Sequence, residues 1–414
     1  MIPTAMHPPG LYRPKEFAFI HDAGLFHIFY MRHNLTVSDD STETDLGHAV
    51  STDLVNWTQL DPVLHVQPAT WDSLHIWAPT MIKSGSTWYM FYAGVNNQPF
   101  AWNWFQRIGV ATSTDLMTWT RYDQPVYTGN MEPWAFADSS NFDGAQFRDP
   151  FVMPDPANPS HWIMYFVTEA ASARGQLIVG AARNDGGLTP WQDAGAMWCT
   201  DAAHYWGWNE SPLMFQHNGL WFLFSTTPSG HPIGFRVGPS PLADSIYWSG
   251  KYRLWDFAGK ATRNSDDWFA AEFLSAEGHD YFAYIDTDDD YIGIEEMVWG
   301  TPPNFFSLQR PSITAVGPRN AAPRVSVRVV GRARHGTGAM FAVALPEAME
   351  ARLDLYDVAG RRLRVLRPGA LPAGESTVPW DGRDESGRVL PCSMYFARVV
   401  TAGGAGVAKV LVTE

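Results

Sequence analysis

The chain has little of what builds disulfide-bonded, membrane-spanning or helical proteins. Its 414 residues include two cysteines, Cys199 and Cys392, which lie far apart, so we predict two isolated buried thiols and neither a disulfide framework nor a metal site. No apolar run has the length needed to cross a bilayer, and the opening MIPTAMHPPG lacks the basic start and apolar core of a signal peptide. Hardly any segment shows helical periodicity. A globular, strand-rich chain with neither a signal peptide nor a membrane span is therefore expected.

Positive charge is scarce in most of the chain. Residues 1–318 hold 15 Lys and Arg against 34 Asp and Glu, a net charge of −19, whereas residues 319–414 hold 14 against 9, a net charge of +5. The acidic part also carries 18 of the 19 tryptophans. Two domains are therefore predicted, and the charge of the first excludes nucleic acid and anionic membranes as partners. Neutral sugars that stack on aromatic rings fit this composition, so we expect a carbohydrate partner.

A repeat runs through the acidic part. The segment GHAVSTDLVNWTQL at 47–60 recurs as GVATSTDLMTWTRY at 109–122, an offset of 62 residues. An apolar hairpin precedes each copy and appears three more times, and each hairpin continues into further strands. The five hairpins are 17–30, 77–92, 149–167, 211–225 and 271–286. The pattern predicts an all-β fold with a five-bladed β-propeller, and it disfavours a β-sandwich, which would not explain the offset.

Within the repeated STDLxxW motif, the expected roles are structural. We predict that Asp53 and Asp115 cap turns between outer strands, and that Trp57 and Trp119 fill the gaps between blades.

Acidic residues recur at one point of the repeat. The residues that begin the inner hairpins, or directly precede them, are Glu16, Trp77, Asp149, Glu210 and Glu272, at intervals of 61, 72, 61 and 62 residues. We predict that these positions are equivalent and line one end of the central channel. Carboxylates that converge there lose solvent and repel one another, which separates their pKa values and allows one acid and one base in a single site. A structural calcium ion is the alternative, and no other cofactor or metal is expected.

These motifs resemble those of the five-bladed propeller glycosidases of families 32, 43 and 68. LGHAVSTDLVNW resembles the first blade of family 32, and FRDPF resembles its Arg-Asp-Pro motif. WNESPLMFQHNGLWFLF resembles the segment that carries the general acid. The resemblance implies that Glu210 is the general acid, that Asp149 holds sugar hydroxyls and tunes the acid, and that Arg148 is a charge partner.

The same families place an Asp at the start of blade one, as nucleophile in retaining enzymes and general base in the inverting one. Here GLYRPKEF puts Lys15 or Glu16 at that point. Glu16 is the candidate nucleophile or base, and Lys15 is a candidate substrate contact. Glu272 has no counterpart in the family pattern and is expected to be a substitute base, a substrate contact or an ion ligand. The remaining expected substrate contacts are Trp77, Trp208 and Asn209.

The basic part resembles a different module. LYDVAGRRLRVL and WDGRDESGRVLPCSMYFARV resemble the immunoglobulin-like module of flagellar hook-capping proteins and of many secreted bacterial enzymes. We predict a propeller domain at 1–310, a linker at 311–322 and a small immunoglobulin-like β-sandwich at 323–414. The resemblance implies a secreted or cell-surface protein whose module contacts the cell surface or the secretion machinery.

Together these features predict a glycoside hydrolase that acts on a furanoside or a related small glycoside, fructoside- or arabinoside-like. Two alternatives are a carbohydrate-binding propeller that has lost the chemistry, and a surface protein whose propeller binds an ion and a partner.

Overall fold

The computed structural model describes residues 5–37, 40–96, 104–128, 134–136, 146–170, 173–198, 209–226, 233–242, 252–254, 268–287, 290–300, 305–309, 311, 325–357, 361–401 and 404–413. The chain divides into two compact units, Met1–Ile313 and Thr314–Glu414. Of the linker predicted at 311–322, only residue 311 lies in the described part.

The first unit is built from strands, together with a short 3₁₀ helix at Asp40–Thr42. Its strands are β1 (Ala5–Met6), β2 (Tyr12–Asp22), β3 (Leu25–Asn34), β4 (Leu46–Ser51), β5 (Thr58–Val63), β6 (His75–Ser84), β7 (Thr87–Asn96), β8 (Phe105–Ser113), β9 (Thr120–Arg121), β10 (Ala135–Phe136), β11 (Phe147–Asp155), β12 (Asn158–Ala170), β13 (Ala173–Asn184), β14 (Gln192–Trp198), β15 (Glu210–His217), β16 (Leu220–Thr226), β17 (Gly234–Gly238), β18 (Tyr252–Arg253), β19 (Trp268–Ala276), β20 (His279–Asp286), β21 (Tyr291–Trp299) and β22 (Phe306–Gln309).

Across the described residues these strands form five antiparallel sheets, numbered in chain order. Sheet one has the order β2-β3-β4-β5, sheet two β6-β7-β8-β9, and sheet four β15-β16-β17-β18. In sheet three β11, β12, β13 and β14 follow one another, with β10 also on β12. In sheet five β19, β20 and β21 are adjacent, and both β22 and β1 pair with β21. The start of the chain therefore completes the last sheet.

The inner strands β2, β6, β11, β15 and β19 contact one another in a closed circuit, each touching the inner strands of the two neighbouring sheets. The second strands of the sheets are packed on both faces, which is why they read as continuous apolar runs. In β12, for example, residues 163–167 are fully buried. The all-β prediction is confirmed, and the circuit places one end of all five inner strands around a common opening.

The repeated STDLxxW motif has the predicted structural role. Asp53 accepts hydrogen bonds from the backbone N–H groups of residues 55 and 56, and Asp115 from those of residues 117 and 118. Trp57 packs against a core cluster shared by sheets one and five, and Trp119 against one shared by sheets one and two. The motif therefore closes the outer turn and fills the space between neighbouring sheets.

The second unit is also all-β. Its strands are β23 (Ser326–Arg334), β24 (Gly338–Leu345), β25 (Met349–Asp357), β26 (Arg362–Leu371), β27 (Gly374–Trp380), β28 (Ser393–Thr401) and β29 (Gly404–Thr413). They are hydrogen-bonded in the order β26-β25-β28-β29-β23-β24-β27. Leu353 of β25 and Trp380 of β27 belong to one buried cluster although they lie towards opposite ends of this order, so the sheet folds over on itself around a core.

The structure bears on the predicted thiols and on membrane-spanning helices. Cys392 is exposed, so the prediction of a buried thiol is wrong there, because the residue lies in an irregular stretch before β28. Cys199 lies outside the described residues. Within the described part, no helix is long and apolar enough to cross a membrane.

Candidate active site

A cavity of about 720 Å³ opens at one end of the inner strands, and we call it the funnel. Each sheet contributes one residue to the funnel wall from the same position. This position is the last residue of the inner strand that pairs with the second strand before the pairing is interrupted. These residues are Pro14, Trp77, Arg148, Glu210 and Phe269. The funnel is therefore a common site of the first unit, built where the five inner strands begin.

The strand register corrects the predicted ring. Trp77 and Glu210 are equivalent to Arg148, one residue before Asp149, so the prediction that Trp77, Asp149 and Glu210 share a position is wrong. The residue that directly follows this wall position in sheets one to five is, in order, Lys15, Ala78, Asp149, Ser211 and Ala270. Lys15, and not Glu16, therefore occupies the position of Asp149.

The break in each inner strand has the character of a β-bulge. Ala78, Asp149, Ser211 and Ala270 have φ values of 47°, 53°, 50° and 42°, which side-chain-bearing residues rarely adopt. Bulges re-aim side chains, and backbone strain of this kind collects at functional sites. The bulges bring Asp149 to the funnel wall, together with Lys15 and Glu16, which directly follow Pro14.

Arg148 connects two of the three predicted catalytic carboxylates. Its Nη2 donates to Oε1 of Glu210 at 2.5 Å, and its Nε lies 3.6 Å from Oδ2 of Asp149. Its Nη1 also donates to the side-chain oxygens of Gln106 and Gln146. The predicted role of Arg148 as a charge partner thus matches its contacts, since the guanidinium is buried between groups that need its charge.

Glu16 and Asp149 are joined through Ser211. The hydroxyl of Ser211 donates to Oε1 of Glu16 at 2.6 Å, and its backbone N–H donates to Oδ2 of Asp149 at 3.1 Å. Glu16, Asp149 and Glu210 all line the funnel, so the structure brings the three predicted catalytic residues together. Ser211 was missed at the sequence level, because its contact with Glu16 joins residues 195 positions apart.

Burial separates the protonation behaviour of these groups. It raises the pKa of Glu16 well above the usual range, the charges of Asp149 and Glu210 raise it further, and Ser211 opposes the rise. Burial also raises the pKa of Asp149, to about 6, against the opposing charge of Arg148. Burial and the neighbouring carboxylates therefore favour the protonated form of Glu16.

Lys15 lines the funnel within a chain of charged contacts. Its Nζ lies 2.5 Å from Oε1 of Glu43, and Nδ1 of His33 lies 3.0 Å from the same oxygen. Glu43 is almost fully buried and also reaches the funnel wall. A lysine with this carboxylate partner has a site-facing position but cannot act as a glycosyl nucleophile.

An aromatic corner forms the sheet-two wall. Trp77 stacks on His75 with ring centres 5.1 Å apart, and Trp104 meets Trp77 edge to face at 5.6 Å. Both tryptophans line the funnel, which puts Trp77 where the sequence predicts. Trp104 was missed because it lies in AWNWFQR, which carries no repeat signal.

Two predicted contacts do not line the funnel. Asn209 is fully buried and donates from Nδ2 to the carbonyl of Leu177 at 3.1 Å, so it fastens sheet four to sheet three. Glu272 does not line the funnel, but it lines an adjoining cavity of about 20 Å³ together with Glu16 and Asp149. The bulge of sheet five holds a single residue, Ala270, which leaves Glu272 three residues beyond the ring position Phe269. Trp208 lies outside the described residues.

The structural-calcium alternative stays a prediction. In the described ranges, no group of three or more His, Cys, Asp or Glu side chains is arranged to hold a metal ion.

Solved structures with this fold are propeller glycosidases. A β-fructofuranosidase of Bombyx mori matches with a TM-score of 0.55 and 17% identity, covering 100% of this chain and 89% of that one. Sucrose-6-phosphate hydrolase of Lactobacillus gasseri matches with 0.58 and 14%, covering 100% and 88%. An α-L-arabinofuranosidase of Clostridium thermocellum matches with 0.53 and 15%, covering 71% and 93%. At these identities the similarity establishes the fold.

The family follows from the sequence itself. The model of the glycosyl hydrolases family 32 N-terminal domain matches residues 14–285, more than half of the chain, so this protein belongs to that family. The model of the FlgD Ig-like domain matches residues 331–404, which confirms the predicted module of the second unit.

A curated relative matches a smaller part. It is a 1,2-β-oligomannan phosphorylase of Thermoanaerobacter sp. (strain X514), 27% identical over 153 residues. The match covers 36% of this chain and 47% of that protein, so it spans about half the length of the relative.

Proposed function

We propose that this protein hydrolyses a furanoside or a related small glycoside, fructoside- or arabinoside-like, inside the funnel. The observation that carries the proposal is the convergence of Glu16, Asp149 and Glu210 on one cavity, with Arg148 in contact with two of them. Such a set can supply a proton donor, an attacking carboxylate or base, and a carboxylate that holds sugar hydroxyls.

The size and lining of the funnel support a small glycoside. Its volume of about 720 Å³ lies within the range of roughly 300–1,000 Å³ that small-molecule sites occupy. Trp77 and Trp104 offer ring surface to a sugar, and the polar groups converge from sheets one, three and four. The similar structures named as a β-fructofuranosidase and an α-L-arabinofuranosidase support the furanoside class.

The environments of the two outer carboxylates favour a specific division of roles. Burial raises the pKa of Glu16 well above its usual range, so we assign it the donation of a proton to the leaving oxygen. Glu210 faces the guanidinium of Arg148 at 2.5 Å, which is the environment of an anionic nucleophile or base. Asp149, held by Ser211, orients the sugar. The family resemblance assigns acid and nucleophile the other way round, and kinetics can distinguish the two.

The test compares Glu16→Gln and Glu210→Gln on aryl furanosides with good and poor leaving groups. Loss of the acid costs about 100- to 10,000-fold with a poor leaving group and much less with dinitrophenol, which departs without a proton. Loss of the attacking carboxylate slows both substrates, and added azide restores turnover by replacing it. We expect the first pattern for Glu16→Gln and the second for Glu210→Gln.

Glu375→Gln is the matched control, because this carboxylate lies on β27 of the second unit in an exposed pair with Arg328. Exchanged patterns would assign the acid to Glu210, as the resemblance implies. No turnover by the unaltered protein on any furanoside, with sugar binding retained, would contradict hydrolysis and favour the carbohydrate-binding alternative.

We also propose that the protein is secreted or held at the cell surface, with the second unit in contact with the surface or the secretion machinery. The FlgD Ig-like match at residues 331–404 supports this role. Removal of residues 323–414 is expected to abolish surface retention in cell fractionation, and unchanged retention would contradict it.

A further inference from the structure

Arg13 is a cation of the funnel wall without a carboxylate partner. It lies on β2, two residues before Lys15, and lines the funnel. Its Nε is buried and has no hydrogen-bond partner in the described part of the chain. A buried donor without a partner is unfavourable, and an anion that contacts the guanidinium would provide one.

The missing partner is not explained by a shortage of acidic residues, since the first 318 residues hold 34 carboxylates against 15 cations. Four other arginines of this unit have a carboxylate each: Arg32 pairs with Asp45, Arg121 with Asp72, Arg148 with Glu210 and Arg183 with Asp155. Arg107 instead donates to the side-chain oxygen of Asn96. Among the residues that the structure describes, Arg13 has no such pair.

The two carboxylates on the same wall, Glu43 and Glu16, already have other partners. Oε1 of Glu43 contacts Nζ of Lys15 at 2.5 Å and Nδ1 of His33 at 3.0 Å. His33 is the ladder partner of Arg13 on β3, so Glu43 lies close to Arg13 in the fold but is held by other groups. Glu16 accepts the hydrogen bond of the Ser211 hydroxyl, so within the described residues neither carboxylate of this wall is paired with Arg13.

Two of the funnel carboxylates lie away from this wall, while Asp290 lines the funnel from sheet five. Asp149 and Glu210 come from sheets three and four, which are not neighbours of sheet one in the circuit of inner strands. Their charges repel an anion from that side. A guanidinium presents a planar fork of donors that matches a phosphate or carboxylate group, so its geometry also suits an oxyanion.

We propose that Arg13, with the charge of Lys15 beside it, forms an oxyanion subsite in the funnel that binds a phosphate-like group during turnover. The group comes either from the substrate, as a phosphate or carboxylate on the sugar, or from free phosphate. In the second case a phosphate oxygen forms the new bond to the anomeric carbon, the glycosidic C–O bond breaks, and the leaving oxygen takes the proton of the acid. Only the turnover tests rest on the proposed function.

Binding of inorganic phosphate to the whole protein, measured by titration calorimetry without any glycoside, tests the subsite independently of catalysis. We expect saturable binding that Arg13→Gln weakens on the order of 10- to 100-fold, as expected for the loss of charge-assisted hydrogen bonds. Arg13→Lys should retain part of the affinity. Arg183→Gln is the matched control outside the funnel and should bind like the unaltered protein.

Unaltered phosphate affinity in a folded Arg13→Gln, or no saturable binding by the unaltered protein, would overturn the proposal. Circular dichroism and the melting temperature establish that each variant is folded. If Arg13→Gln does not fold, the phosphate affinity of Arg13→Lys is measured instead, at several pH values and salt concentrations. An affinity equal to that of the unaltered protein would then overturn the role of the planar fork of Arg13.

Turnover distinguishes the two sources. Phosphorus NMR of a reaction with an aryl glycoside and inorganic phosphate detects a glycosyl phosphate if free phosphate attacks. If the group belongs to the substrate, no such product forms, phosphate inhibits competitively, and glycosides carrying a phosphate or carboxylate gain in kcat/KM over neutral ones. Phosphate binding without any turnover would reject the hydrolase proposal and leave the subsite intact.

Discussion

The hydroxyl of Ser211 donates a hydrogen bond to Oε1 of Glu16 at 2.6 Å and joins the inner strand of sheet four to that of sheet one. This bond opposes the rise in the pKa of Glu16 that burial causes. Removal of the hydroxyl by Ser211→Ala should therefore raise the pKa of Glu16 further. Because the proposed acid then keeps its proton to higher pH, we expect the alkaline limb of kcat/KM to move up by about one pH unit.

Ser113→Ala is the control for this shift, because Ser113 lies in the outer turn of sheet two and contacts Asp115. An alkaline limb at the same pH in Ser211→Ala and the unaltered protein would show that Glu16 does not control it.

Arg148→Gln should reduce both activity and stability. The variant leaves Glu210 and the buried Asp149 without their shared counter-charge, and breaking a buried pair from one side costs about 3–5 kcal/mol. The pKa of Asp149, about 6 in the presence of Arg148, should rise as well. Urea unfolding measures the loss of stability. Arg183→Gln, at a partly exposed pair with Asp155, should cost no more than about 1 kcal/mol, and equal costs for the two variants would contradict the prediction.

A histidine pair in sheet one should make the protein sensitive to acid. Nδ1 of His27 lies 3.0 Å from Nε2 of His48, and burial lowers their pKa values to about 4 and about 3. In the unfolded chain both titrate near 6.5, so the unfolded state binds more protons as the pH falls below that value. The stability contribution is complete above about pH 6.5 and is lost progressively towards pH 3–4, by up to about 1.4 kcal/mol per pH unit for each histidine.

His48→Gln should flatten this dependence, which urea midpoints at several pH values measure. His65→Gln is the control, because its side chain is largely exposed. An unchanged slope in His48→Gln would contradict the assignment.

Glu272→Gln should stabilise the protein at alkaline pH. Burial alone raises the pKa of Glu272 well above the usual range, so the folded state keeps a proton that the unfolded state releases. Stability is therefore lost as the pH rises from the unfolded value of about 4.3 towards the raised pKa, whereas glutamine does not titrate. We expect the advantage of the variant in urea to grow from pH 5 to pH 8, with activity retained. A variant without activity would place Glu272 in the reaction.

The hairpins and the site were predictable to different degrees. Five apolar hairpins and the offset repeat predict the strands of the first unit, because alternation and glycine turns are local signals. The equivalent residues of the funnel wall could not be predicted from sequence spacing alone. The bulge holds two residues in four inner strands and one in sheet five, so equal spacing does not mean an equal position. A signal for the true register is present in the sequence. Ala78–Pro79, Asp149–Pro150 and Ser211–Pro212 place proline at the same bulge position, where no ladder hydrogen bond is needed.

Burial and long-range contacts explain the other misses. Asn209 directly precedes Glu210 along the chain, but its side chain points into the packing against sheet three. Glu272 has the right spacing and lies in the channel beyond the funnel. Neither direction can be read from a single strand, because both depend on where neighbouring sheets pack.

The pairing of β1 with β21 has a consequence for how the molecule assembles. Ala5 and Met6 pair with Gly293 and Ile292, so residues from the two ends of the first unit complete one sheet. During synthesis β1 leaves the ribosome well before β21, so the two strands can pair only after the rest of the first unit has been made. Contacts of such long sequence separation form late and slowly. Pairing of β1 with β21 should therefore be a late folding step that completes the last sheet. Pulse-labelled hydrogen exchange should find β1 among the last strands to gain protection.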